Sequence, residues 1–331
     1  MNPLNRRQLL KKMALSSAAV ALSDLGPWLP KAAAAKAPSS DSLAMQLYKS
    51  LTDEQKAKVC LPVDHPRRQW IDNWWYIHSE YRIPNTFSSE QQEAIQTIFD
   101  SLHSPEYIDD VKKQVRLDTY GIDRNAPAVG FFGGPENEDF EFIYTGHHVT
   151  RRCNVHSVDG TGFGGAPIFY GHYPHPLTEM NTNFHETPEH PGNPYWYQGK
   201  AFNRFVESLD GAQHDAGLVQ ARPRSEKPEL VIQRAPTPPG LHCADLSKDQ
   251  KQELVETMRD MMAMFRPGDI DATIGLIEKK NVVDRLHISW YDGKYDVGSD
   301  QVWDTWQIEG PDMVWYFRGV PHIHCYFHLK A

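Results

Sequence analysis

The sequence predicts an α+β protein of two related halves, each made of helices followed by an antiparallel sheet, together forming one integrated globular unit. Three observations carry this reading. Amphipathic helical patterns recur in the same order in both halves, strand-like segments close each half, and 40% of the 331 residues are hydrophobic, enough for a large shared core. That composition excludes disordered and collagen-like classes. The formal net charge is −9, and no basic face is evident, which argues against a nucleic-acid surface.

Residues 1–37 read as an export signal. Asn5-Arg6-Arg7-Gln8-Leu9-Leu10-Lys11 matches a twin-arginine pattern, a short apolar run follows from Met13 to Leu22, and Ala35-Lys36-Ala37 suits a cleavage site. The apolar run is too short to span a bilayer. Cleavage would remove six basic residues (Arg6, Arg7, Lys11, Lys12, Lys31, Lys36) and one acid (Asp24), leaving 28 basic against 42 acidic residues. The expectation is an acidic periplasmic or secreted protein. Its partner on the way out is the twin-arginine machinery, and the mature chain has no transmembrane segment. That route carries folded proteins, often with a cofactor in place.

The mature chain, 38–331, then runs as follows. Ser42–Gln55 holds an amphipathic helical pattern that runs into Ser50-Leu51, with Gln55 four residues later. Trp70, Trp74, Trp75 and Tyr76 come next and read as core packing, with a stacking wall for a ring ligand as the alternative. A second helix begins after Ser88, a good N-cap with an acid in the first turn. Phe140–Gly146 is strand-like. The same series then returns. Lys200–Gln213 repeats the first helix, passing through Ser208-Leu209; Ser247 repeats the cap at Ser88 159 residues later; and Asp304–Gly310 repeats the strand 164 residues later. These matches predict an internal duplication of 42–159 and 200–331. Residues 160–199 form a Gly-, Pro- and His-rich linker, and Pro223–Pro239 a second irregular stretch.

The strongest chemical signal is Pro321-His322-Ile323-His324-Cys325-Tyr326-Phe327-His328. On a strand His322, His324, Tyr326 and His328 share one face, while Ile323, Cys325 and Phe327 share the other. Imidazoles two residues apart can converge on one ion, and imidazole suits copper, zinc, iron and nickel. The plain alternative is a polar strand face. The second signal is Gly146-His147-His148. By strand parity His148 lies with Thr150, Arg152, Asn154 and His156, which makes it the better ligand. His147 lies with Val149, Cys153 and Val155, a set interrupted by Arg151. His172 and His175 in the linker are weaker candidates. Glu179, Glu186 and Glu189 could serve as acids or bases.

Several motifs are absent. No H-E-x-x-H, G-x-S-x-G or Walker sequence is present. Cys60, Cys153, Cys243 and Cys325 are too scattered for a zinc ribbon, and one or two disulfides stay open.

Taken together, these motifs resemble the family named domain of unknown function 3500. The resemblance rests on Gly146-His147-His148 after an aromatic strand and on Ala166-Pro167-Ile168-Phe169-Tyr170-Gly171. It also rests on Gln307-Ile308-Glu309-Gly310-Pro311 followed by His322-Ile323-His324. The chain departs from the family pattern at Gly319-Val320-Pro321 and at His172–Pro176. The resemblance implies one integrated fold and the two histidine motifs. It implies no reaction.

The functional expectation is an exported metal-dependent enzyme with a metal held by His147 or His148 together with His322 and His324. Copper is favoured over zinc, because a histidine-rich site, an oxidising compartment and export of the folded form agree. The chemistry would then be oxidation of a small organic substrate, with Tyr326 or Tyr144 near the metal. The alternatives are a zinc-dependent hydrolase using Glu179 or Glu186 as base, and a non-enzymatic periplasmic metal- or ligand-binding protein.

Overall fold

The computed structural model describes residues 40–137, 139–155, 162–172, 195–220, 237–293, 303–319 and 322–329. Among these, nine helices and eleven strands make the α+β fold that the sequence predicts. The helices are α1 (Ser40–Ser50), α2 (Asp53–Val59), α3 (Ile83–Thr86), α4 (Ser89–Ser101), α5 (Ile108–Asp118), α6 (Tyr197–Glu207), α7 (Gly211–Gly217), α8 (Lys248–Met261) and α9 (Pro267–Lys279). The strands are β1 (Cys60–Leu61), β2 (Ala128–Phe132), β3 (Glu141–Gly146), β4 (Val149–Asn154), β5 (Ile168–His172), β6 (Leu218–Val219), β7 (Leu241–His242), β8 (His287–Tyr291), β9 (Thr305–Glu309), β10 (Met313–Arg318) and β11 (Ile323–Leu329). No described helix is long and apolar enough to cross a membrane.

Local chemistry sets the helix ends. The amphipathic pattern that runs into Ser50-Leu51 ends as α1 at Ser50. Thr52 caps α2 by accepting from the Gln55 backbone N–H, and the Gln55 side chain bonds back to the cap. Ser88 with Gln91, Asp210 with Gln213 and Ser247 with Gln250 make the same reciprocal box on α4, α7 and α8. The box glutamines also pair across helices. Gln55 and Gln91 exchange amide hydrogen bonds at 2.7 and 3.1 Å, and Gln213 and Gln250 do so at 3.0 and 2.7 Å.

The strands form one mixed sheet in the order β1-β2-β3-β4-β5-β11-β10-β9-β8-β6, with β7 added against β8. Each outer end is a short strand paired in parallel, β1 on β2 and β6 on β8; the other pairings are antiparallel. The registers of the two arms correspond as well. Thr145 pairs Thr150 across β3–β4, and the residues 164 further on, Glu309 and Val314, pair across β9–β10. At the centre Ile168 of β5 pairs with Phe327 of β11, residues 159 apart.

One sheet face carries the main core. Ala44 and Leu47 of α1, Ile95, Ile98 and Phe99 of α4, Phe202 and Phe205 of α6, and Leu254 and Met258 of α8 join strand residues such as Phe142, Tyr170, Trp290, Trp306, Trp315 and Phe327. The other face holds two smaller clusters. Ile71 packs with Phe169, Val314, Tyr316 and Tyr326, and Trp75 and Ile77 pack with Ala128, Phe132 and Ile143. The stretch from Trp70 to Ile77 thus covers part of that second face, so strands are buried on both sides and lose the simple inside–outside alternation.

Two expectations are corrected here. The linker 160–199 is not all loop, because Ile168–His172 forms β5, a central strand between β4 and β11. Its apolar run is only a few residues long and sits among glycines and prolines, which hide it locally. Trp70 and Trp74 are not core residues: they are 42% and 49% exposed, whereas Trp75 is buried. Arg151, the misfit in the apolar set of β4, is fully buried on the helix side. It donates to Asp269 Oδ2 at 2.8 Å and to the carbonyl of Phe163 at 2.7 Å. A buried guanidinium needs such partners. All four cysteines carry free thiols, and Pro223 to Ala235 lie outside the described residues.

Candidate metal centre

His147 and His148 are the two residues that connect β3 to β4, whose last pair is Gly146 with Val149. His148 has φ +57°, a left-handed conformation rare for a non-glycine residue. Backbone bonds hold it there: its N–H donates to the Asn73 carbonyl at 2.8 Å, and its own carbonyl accepts from the Gly171 N–H at 3.0 Å. Gly171 is required by close approach. A Cβ at that position would lie 2.8 Å from His148 Cδ2 and 3.0 Å from the Ile323 carbonyl oxygen. The turn therefore aims His148 across β5 towards the start of β11.

His324 enters from β11 and His322 from the residues just before it. His324 Nε2 lies 3.3 Å from His148 Nε2 and 3.0 Å from His322 Nε2. Two nitrogens each about 2.0–2.1 Å from a tetrahedral ion are about 3.3 Å apart, so this spacing is what a shared cation asks for. His148 and His324 are buried and His322 half-buried. Burial is the first cause that pushes the His322 and His324 imidazoles well below their ordinary range, with the neighbouring imidazoles and the Arg318 charge acting in the same direction. Both rings are thus neutral at physiological pH, as a metal ligand must be.

Behind His148 stands a carboxylate. Asp118, the last residue of α5, is buried, and its Oδ2 lies 3.2 Å from His148 Nδ1. The same oxygen accepts from Gln114 Nε2 at 3.1 Å, one helical turn earlier. Gln114 Oε1 in turn pairs with His172 Nδ1. A carboxylate 3.2 Å from Nδ1 favours the proton on that nitrogen by its charge and leaves the Nε2 lone pair for the trio; a carboxylate near the outer nitrogen recurs around metal-bound histidines. The position is locally unfavourable: burial pushes Asp118 up to about 7, and the end of a helix repels negative charge. This acid lies in no motif. Its one sequence signal is an acid in the last turn of a helix, ahead of Gly121.

His147 does not join the trio. Its ring stacks between Trp74, at 4.3 Å, and His148, at 4.0 Å, with Nδ1 3.3 Å from the Asp118 carbonyl oxygen. Asp118, His147 and His148 form a second group of convergent donors on the far side of the His148 ring. Burial is the first cause that lowers His147 to about 4. Strand parity favours His148 over His147; in the structure a left-handed turn brings the His148 ring beside His322 and His324.

Tyr326 lies on the His324 side of β11, its ring 6.3 Å from His324 and 4.6 Å from Phe169. Tyr144 is removed from the candidates, because it packs on the helix side against Phe99 at 4.5 Å. Arg318, which no motif singled out, is the direct cross-strand partner of His324. Directly opposed residues of antiparallel strands share a face. Glu179, Glu186, Glu189 and His175 lie outside the described residues.

The fold and site define a class: an α+β protein with one large sheet and a buried three-imidazole centre backed by a carboxylate. The chain belongs to the family described as protein of unknown function (DUF3500), which it matches over residues 33–329. No curated protein and no solved structure matches it.

Proposed function

We propose that this protein is an exported metal-dependent enzyme whose centre is His148, His322 and His324, and that it oxidises a small organic substrate with copper. The triangle of Nε2 atoms drawn from two remote segments is the observation that carries this reading. Three neutral imidazoles fit copper or zinc and leave a coordination position for a substrate. Bound copper would supply electron-transfer chemistry there. The chain's own residues do the rest: Asp118 orients His148, and Tyr326 lines the His324 side. Export through the twin-arginine machinery to the periplasm or beyond is part of the proposal, supported by the arginine pair ahead of the family match. The matching registers of the two arms support descent from one duplicated unit.

The second reading is zinc with a metal-activated water, hence hydrolysis. The Asp118–His148 contact favours it, because a carboxylate behind a histidine ligand is a recurring feature of zinc sites. A storage or structural metal site would need a closed set of four ligands. The test is elemental analysis of protein from its native compartment, beside His322→Ala and His324→Ala. We expect about one copper in wild type and none in either variant. Equal metal in all three would remove the proposal, and zinc in place of copper would select the second reading.

A further inference from the structure

We propose that Trp74 and His147 carry electrons into the three-imidazole centre from a planar aromatic reductant, a dihydroxybenzene, that stacks on the exposed face of Trp74. The inference rests on the copper reading above and adds the class of substrate and the route its electrons take.

The first argument is contact. Trp74 lies on the His147 ring with centroids 4.3 Å and planes 22° apart, and His147 lies on the His148 ring at 4.0 Å and 31°. His148 is itself one of the three donors, its Nε2 3.3 Å from that of His324. Three π-systems in succession therefore join the surface to the centre. Electron transfer weakens steeply with every gap between orbitals, so a file of rings in contact conducts better than saturated side chains over the same span. The donor need not touch the metal.

The second argument is that the file is held in place and reaches solvent at its outer end. Trp74 and His147 form a backbone bridge. The indole N–H donates to the Tyr76 hydroxyl at 3.1 Å, and that hydroxyl donates to the Asn125 carbonyl at 3.3 Å. Trp74 is nevertheless 49% exposed. One indole face covers His147, so the exposed area is the other face and the ring edges. A fixed indole whose N–H is satisfied offers a flat apolar surface to another flat ring.

The third argument is the rim. Four large apolar side chains stand exposed among the described residues, and three of them, Trp74, Leu117 and Ile122, belong to this one place. Leu117 and Ile122 flank Tyr120, whose ring is 6.5 Å from Trp74 and whose N–H donates to the Leu117 carbonyl at 3.0 Å. Single exposed apolar residues are ordinary, whereas a cluster marks a binding surface. An aromatic and aliphatic rim suits an aromatic ring better than a sugar, whose hydroxyls need polar partners around it. In each transfer the diol gives one electron to copper(II), which becomes copper(I), and one hydroxyl proton to water. Two transfers, to two protein molecules, leave a quinone, and the rings of the file are unchanged.

The experiment uses the full chain loaded with copper(II) and mixed with hydroquinone in the absence of oxygen, the loss of copper(II) absorption being followed by stopped flow. Wild type is compared with Trp74→Leu, Trp74→Phe and His147→Leu. We expect the same copper content and the same copper(II) paramagnetic spectrum in all four. The reduction rate should fall about 10-fold in each leucine variant and stay within about 3-fold of wild type in Trp74→Phe, which keeps a ring. In wild type the rate should level off as hydroquinone rises, because the bound donor saturates. Equal rates in wild type and both leucine variants overturn the inference and leave the copper reading intact, with electrons entering past the half-buried His322. A loss in Trp74→Leu alone overturns the relay through His147. A wild-type rate that rises in proportion to hydroquinone without levelling off overturns the stacking site. A wild-type chain that takes up no copper overturns both readings. If His147→Leu does not fold, the pair Trp74→Leu and Trp74→Phe carries the test, since that side chain is exposed: equal rates in both and in wild type overturn the inference.

Discussion

Replacing Asp118 by Asn should move stability and metal affinity in opposite directions. The substitution keeps the shape and removes the charge. In the metal-free protein that charge is a burden: burial pushes Asp118 from its ordinary 3.8 up to about 7. The folded state therefore keeps the proton where the unfolded chain has lost it. This proton contribution to stability is fully present below pH 4 and is lost as pH rises from about 4 to about 7. At pH 8 the ionised carboxylate costs at most about 4 kcal/mol, from about 1.4 kcal/mol per pH unit. Asp118→Asn should therefore make the metal-free chain more stable at pH 8, by a few kcal/mol at most, and hardly more stable at pH 4. With metal the sign reverses. Asn has no charge with which to hold the proton on His148 Nδ1, which lies 3.2 Å from Asp118 Oδ2 in the wild type. Loss of such an outer-shell partner weakens metal binding by about 10- to 100-fold. The assays are urea unfolding of the metal-free protein at pH 4 and pH 8, and competitive chelator titration at pH 7. A variant that is destabilised at pH 8 and binds metal as tightly as wild type would refute the reasoning.

Two further substitutions probe the geometry. His147→Ala should keep metal affinity within about 3-fold, because the ring lies outside the trio and its loss spares the Asp118–His148 contact; chelator titration checks this, and loss of most bound metal would make His147 a ligand. Gly171→Ala should cost about 1–3 kcal/mol in urea unfolding and also weaken metal binding, because its Cβ would stand 2.8 Å from the His148 ring. Stability lost with metal affinity untouched would show that the ring can move aside.

The recurring capping signals explain why so much local structure was readable. A serine before an amphipathic run, with glutamine three residues later, specifies a helix start through bonds that span one turn, and this happens at Ser88 and Ser247 alike. The two faces of β11 were readable for the same reason, since alternation is a property of the backbone. Other features gave no such signal. β5 is a strand because β4 and β11 lie on either side of it; its own five residues do not say so. Trp70 and Trp74 are apolar enough for a core, and only their place along the outer stretch leaves them exposed.

The sequence by itself determined the helix caps, the strand faces, the α+β class and the two histidine motifs, because each depends on neighbours a few residues away. Only the tertiary structure decided that His148 meets His324 across 176 residues of chain. It also decided that a left-handed turn aims the ring, that Gly171 makes room for it, and that Asp118 stands behind it. Those relations come from long-range sheet pairing and from burial of charge, and neither leaves a periodic mark on the chain.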